Sequence, residues 1–105
     1  MTTAYRSCLH LRAQGYIATV VEHRRGKYRY DLFGIGDTLA ITPAGKKILV
    51  QAYIDNPSEM RKHSQLTIEH PMVKAWCSDG SVFRHDLWKK RKNVWTVSSF
   101  DYVRE

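Results

Sequence analysis

No stretch of this chain approaches the ~18 consecutive apolar residues of a membrane-spanning helix, and no signal peptide is expected ahead of the first helix. Cysteine is scarce. Cys8 and Cys77 are the only two, far apart and in patterns that look helical. They read as buried free thiols in a reducing compartment, not as a disulfide framework. A cytoplasmic location is therefore expected, or a nuclear one if the source is eukaryotic. Repeats, low-complexity tracts and linkers are absent, so one domain over residues 1–105 is expected. There is no zinc-binding spacing, no GxSxG elbow and no phosphate-cradling glycine loop. His63 and His70 have no convincing metal spacing with other ligands, and His10, His23 and His85 are scattered.

Acid is also in deficit. Ten Asp and Glu face 17 Lys and Arg, a formal charge of +7 with a pI near 9.7. A surplus of that size in a small domain points to a polyanionic partner, most often nucleic acid. A merely basic surface is the plainer alternative. The 43% apolar content, with 11% aromatics, is that of a folded globule.

The order of elements reads α-β-β-β-α-α-β-β. Thr2 or Thr3 caps a helix through about Gln14, with Ala4, Cys8 and Leu11 as its buried stripe and Tyr5 and Leu9 beside them. Gly15 suits a left-handed cap. Residues 16–23 form a β-branched strand, and Arg24-Arg25-Gly26-Lys27 a turn. A second strand follows, bent around Gly34 and Gly36, and Pro43 to Lys47 turns it into a third. Asn56 or Ser58 caps the next helix. Another spans about Glu69 to Asp79, burying Met72, Val73, Trp76 and Cys77. Residues 81–88 and 94–100 close the chain as a hairpin.

The segment from Tyr28 to Ile54 organises the rest. Residues 38–41 and 48–54 are largely apolar on both faces, as in central strands covered from both sides. Asp37 opens the first of these runs and Gln51 lies inside the second. A carboxylate and an amide in such strands are costly unless satisfied. A shared metal ion would satisfy both. A plainer role is also open: Asp37 starts a strand after a kink, and Gln51 bonds locally.

These elements resemble the PD-(D/E)XK nuclease superfamily, the restriction-endonuclease-like fold that includes Holliday junction resolvases and the VRR-NUC type. The likeness covers about residues 4–90. It is carried by LRAQGY, IATVVEH, DTLAI, ILVQAYI and AWCSDG, and RYDLFGIGD is similar to a phage and bacterial subset. The resemblance implies an α/β fold with an αβββαβ core, its mixed central sheet flanked by helices. Asp37 falls at the family's aspartate and Gln51-Ala52-Tyr53 at its acid-x-lysine. Gly36 replaces the usual proline, Gln51 a carboxylate and Tyr53 the lysine.

The resemblance implies Mg2+ (or Mn2+) held by Asp37, the Gln51 amide oxygen and the Ala52 carbonyl; the catalytic set expected is Asp37, Gln51, Lys62 and Glu22. Magnesium prefers oxygen ligands and keeps several waters, so few protein ligands suffice. Glu22 could add negative charge, or could be a strand-end acid balancing Arg24 and Arg25. Lys62 could replace the missing lysine, ahead of Lys47, or either could be solvated. Asp31, six residues before Asp37, lies ~20 Å away along a straight strand. It could join the site only if the glycines fold the segment, and a structural role is the reading preferred.

Arg24, Arg25 and Lys27 in one turn, and Lys89, Lys90, Arg91 and Lys92 in another, suit contacts to DNA phosphates. Trp88 and Trp95 could stack on bases or belong to the core. The function expected is a small, resolvase-like, metal-dependent DNA endonuclease, acting as a homodimer on DNA that includes branched forms. The alternative is an inactive nuclease-fold module for DNA binding or assembly.

Overall fold

The computed structural model describes residues 1–104. Helix α1 (Thr3–Ala13) is capped by Thr2, whose hydroxyl accepts from Tyr5 N, and ends at Gly15 with φ +90°. It is followed by β1 (Ile17–Val20), β2 (His23–Arg25), β3 (Tyr28–Tyr30), β4 (Thr38–Ile41) and β5 (Lys47–Ile54). Helices α2 (Pro57–His63) and α3 (Pro71–Cys77) precede the long pair β6 (Val82–Arg91) and β7 (Val94–Tyr102). The main sheet has five strands in the order β1-β4-β5-β6-β7. Only β5 and β6 run parallel. A parallel pair needs a crossover connection, and α2 and α3 supply it.

β5 is the central strand, buried at every residue from Ile48 to Tyr53. Its alternation divides two cores. Ile48, Val50 and Ala52 pack with Cys8 and Leu11 of α1, while Leu49 packs with Val73, Cys77 and Phe83. The two-sided cover expected for residues 48–54 is present. Asn56 caps α2 through Glu59 N, with Pro57 in its first turn.

Several elements differ from expectation. The strand anticipated over 16–23 breaks after Val20. Val21 still donates to the Asp37 carbonyl, then the chain leaves the sheet to form β2. β2 and β3 make a separate two-stranded ribbon. The α1 stripe is completed by Ser7, whereas Tyr5 and Leu9 are exposed. Ser7 is stabilised in the core by donating to Asp86 Oδ2 and accepting from Trp88 Nε1. α3 is shorter than anticipated, and Met72 on it is exposed. The terminal hairpin extends to Arg91 and turns on Lys92 and Asn93, both at positive φ, the backbone of a two-residue type I′ turn.

Gly36 is set by space and not by backbone freedom. A Cβ there would lie 2.3 Å from Leu49 Cγ, in the core. Gly36→Ala should cost about 1–3 kcal/mol through overpacking, read as a lower urea midpoint with an unchanged m-value. An unchanged midpoint would show that Leu49 moves aside freely.

Candidate metal and phosphate site

The site arises where β4 stops. The last pair of the β4–β5 ladder is Thr38↔Val50, and Asp37 N donates to the Val50 carbonyl at 2.8 Å. One residue further along that register, Asp37 stands beside Gln51. β5 continues along β6 through Gln51↔His85, Ala52↔Asp86 and Tyr53↔Leu87, with no strand on its other side. The gap is a cleft of about 340 Å³, closed by the start of α1, the segment before β4 and helix α2. Asp37, Gln51, Ala52, Glu22 and Lys62 all line it, as do Arg29, Asp31, Tyr53 and His63.

Asp37 is buried. Its Oδ2 accepts from the Ala52 N–H at 3.1 Å. That bond also orients Ala52: in an extended strand a residue's C=O points to the same side as its N–H, here toward the gap. Thr38 Oγ1 lies 3.1 Å from both Asp37 Oδ1 and the Ala4 carbonyl, and its one proton can serve only one of them. Burial pushes the Asp37 pKa up to about 8; the Ala52 N–H opposes the rise, and the charges of Asp31 and Glu22 add to it. A carboxylate here is therefore short of positive charge. Neutral Asp37 resolves the pattern by donating to Thr38, which then donates to Ala4.

Gln51 is buried too. Its Nε2 donates to Asp31 Oδ2 at 2.9 Å and lies 3.2 Å from His63 Nδ1. His63 Nε2 faces Glu59 Oε2 at 3.3 Å. With the amide donating to Nδ1, the ring's own proton sits on Nε2, toward Glu59. Burial lowers the His63 pKa against the pull of Glu59, which favours that neutral ring. Both amide hydrogens are thus used, and Gln51 Oε1, although buried, has no hydrogen-bond partner among the described residues. An orphaned buried acceptor costs about 1–3 kcal/mol.

Asp31 reaches the cleft because its segment folds. Gly34 N donates to the Asp31 carbonyl, Leu32 N donates to the Gly36 carbonyl, and Phe33 and Gly34 both adopt positive φ. The expectation that Asp31 lies far from Asp37 is corrected: its carboxylate accepts from Gln51 inside the cleft, where it fixes the amide. Two further groups escaped the sequence reading, Arg29 and His63. The i,i+4 spacing of Glu59 and His63 on α2 was the available signal for His63.

Tyr53 is committed to a hydrogen bond away from Asp37 and Gln51. Its hydroxyl lies 2.7 Å from His85 Nδ1, whose Nε2 faces the Leu66 carbonyl. A carbonyl only accepts, so Nε2 carries the ring proton and Tyr53 donates to Nδ1. Burial pushes the Tyr53 pKa up to about 12, keeping that proton in place. Its ring stacks on His63 at 4.4 Å.

The cleft can gather oxygen donors from Asp37, Gln51 and Ala52, with Asp31 and Glu22 at hand. No three His, Cys, Asp or Glu side chains among the described residues form a metal-holding group by themselves. Any ion here would need the amide and backbone oxygens. The orphaned Gln51 Oε1 and the charge-starved Asp37 fit that need. A roomier cavity of about 690 Å³ lies between α3 and the end of β7. Its Asp101 is already paired with Arg84 at 2.6 Å.

Arg24, Arg25 and Lys27 are exposed on the β2–β3 ribbon, and Lys89, Lys90, Arg91 and Lys92 on the β6–β7 tip. None has an acidic partner within 4.0 Å among the described residues. Trp88 is core, and the Trp95 ring is covered by the Arg6 guanidinium at 3.9 Å. Trp88 is therefore closed to bases, and Trp95 is occupied. No helix among the described residues is long and apolar enough to cross a membrane.

The folded pKa of Asp37 lies above its ordinary value of 3.8. Its contribution to stability is thus fully present below that value and is lost as pH rises through about 8. Metal-free protein should lose on the order of a few kcal/mol between about pH 5 and 9. Asp37→Asn should flatten that loss and be the more stable form at the alkaline end. Parallel pH profiles in urea unfolding would contradict the assignment.

The chain matches no protein-family model, no curated protein and no solved structure.

Proposed function

We propose that this protein is a small metal-dependent DNA endonuclease of the PD-(D/E)XK type, resolvase-like and acting as a homodimer. The observation that carries the reading is the orphaned Gln51 Oε1 beside the buried Asp37, in one cleft lined by the Ala52 strand segment. The order of α1, the antiparallel β1-β4-β5 sheet, the helical crossover and parallel β6 supports the restriction-endonuclease-like core. The unpaired cations on two hairpins support DNA as the polyanion, and the scarcity of cysteine supports a cytoplasmic site of action.

Asp37, Gln51 and Ala52 would hold Mg2+ or Mn2+. Bound there, the ion would polarise a phosphoryl oxygen and lower the pKa of a coordinated water. The chain's own residues supply the remainder. Lys62 and Arg29 line the cleft as phosphate-binding cations, with Lys62 taking the place of the absent lysine as a compact point charge. Glu22 and Asp31 keep the cleft negative, and His63 steadies the Gln51 amide. A neutral amide attracts a cation less than a carboxylate, so metal affinity is lower than for the acid-x-lysine motif.

The second reading, an inactive nuclease-fold module, is favoured by Tyr53, whose hydroxyl is tied to His85. Incubation with branched, nicked and linear DNA in Mg2+ or Mn2+ separates the two. The endonuclease cleaves at least one substrate and Asp37→Asn leaves all intact. If the unaltered protein also leaves all intact, hydrolysis is wrong. The metal itself has an independent readout. At an ion concentration of about 100 times Kd, the unaltered protein should gain about 2.7 kcal/mol of stability, and Asp37→Asn none.

The role of the β6–β7 tip in DNA binding is tested by salt. Replacing Lys89 and Lys90 with alanine should weaken duplex binding whatever its sequence. The slope of log K against log salt should fall by about 0.9 for each phosphate no longer neutralised. An unchanged slope would remove the β6–β7 tip from the interface.

A further inference from the structure

The β2–β3 ribbon has chemistry that the cleft does not use. All six of its strand residues are exposed, so it contributes little to the core. A two-stranded ribbon alone is at best marginally stable, which makes its composition a poor packing solution. Tyr28 and Tyr30 leave 59% and 52% of their surface in water. Opposite residues of an antiparallel pair share a face, and neighbours along a strand alternate. The register pairs His23 with Tyr30, Arg24 with Arg29 and Arg25 with Tyr28. One face therefore carries Tyr28, Tyr30, His23 and Arg25. The other carries Arg24 and Arg29, and Arg29 lines the cleft.

Two features of this ribbon ask for an anion and for flat apolar surfaces. Arg24 stands directly across from Arg29, a like-charge pair that is destabilising unless an anion lies between. Neither has an acidic partner within 4.0 Å among the described residues. On the opposite face two tyrosines are separated by one residue, with cations alongside; Lys27 Nζ lies 5.6 Å from the Tyr28 ring centre. Aromatic rings interleaved with cations are a platform for unpaired bases, since every base has a π-face to stack and a phosphate to neutralise.

We propose that the β2–β3 ribbon binds DNA at the boundary between duplex and single strand. Tyr28 and Tyr30 stack on unpaired bases, while Arg24 and Arg29 hold the phosphates of the strand entering the cleft. The position of that strand rests on the nuclease reading; the stacking face does not. The platform selects forked or flapped DNA over blunt duplex.

The test is equilibrium binding, by fluorescence anisotropy in chelator, to a blunt duplex and to a forked duplex of equal length. The unaltered protein should prefer the fork. Tyr28→Ala/Tyr30→Ala should lower fork affinity by about 10- to 100-fold, the scale of base stacking removed, and blunt-duplex affinity by less than about twofold. Tyr28→Phe/Tyr30→Phe keeps the rings and should keep the preference. Because both tyrosines are exposed, thermal unfolding of each variant should match the unaltered protein. No preference in the unaltered protein overturns the proposal, as does equal weakening on both DNAs or a Phe variant as weak as the Ala one. Cleavage in Mg2+ is scored separately. Fork preference without cleavage supports the platform and removes the nuclease reading; cleavage without fork preference does the reverse.

Discussion

The site depends on one buried acid that no neighbouring cation offsets. Asp37 is buried at the point where β4 ends, held by a single backbone N–H from Ala52 and a threonine hydroxyl shared with Ala4. Nothing in that shell is cationic. Burying a carboxylate is tolerable when it is neutralised by a proton or by a cation. Burial in that shell pushes the Asp37 pKa up and favours the protonated form.

The surrounding structure maintains that imbalance. β5 and β6 continue in parallel past the end of β4, which leaves one side of Gln51 and Ala52 without a ladder partner. The tight turn at Phe33 and Gly34 swings Asp31 onto Gln51, and α2 brings His63 to the other amide hydrogen. With both hydrogens occupied, the amide oxygen is left over. Tyr53 is fixed against His85 by a buried hydrogen bond.

Charge divides the molecule's roles. Glu22, Asp31 and Asp37 line one cleft together with Arg29 and Lys62. Seven of the basic residues lie exposed on two projecting hairpins, outside the core. The aromatic residues divide similarly. Trp88 completes the core with its N–H bonded to Ser7. Trp95 takes up Arg6, and Tyr28 and Tyr30 remain in water.

The sequence by itself determined what local chemistry decides. The caps at Thr2 and Asn56, the left-handed Gly15, the two-sided burial of residues 48–53 and the hairpin close to residues 92–93 follow from propensity and periodicity, which act over a few residues. It also indicated Asp37, Gln51 and Ala52 as neighbours, because an antiparallel turn between adjacent strands sets their register. Only the tertiary structure decided the remainder. The chain leaves the sheet after Val21 to form a separate ribbon, and the arrival of Asp31 depends on a reversal that glycines permit but do not require. Tyr53 pairs with His85 only because β6 lies parallel to β5. Those outcomes depend on which distant backbone groups find partners, and periodicity along a strand carries no record of that.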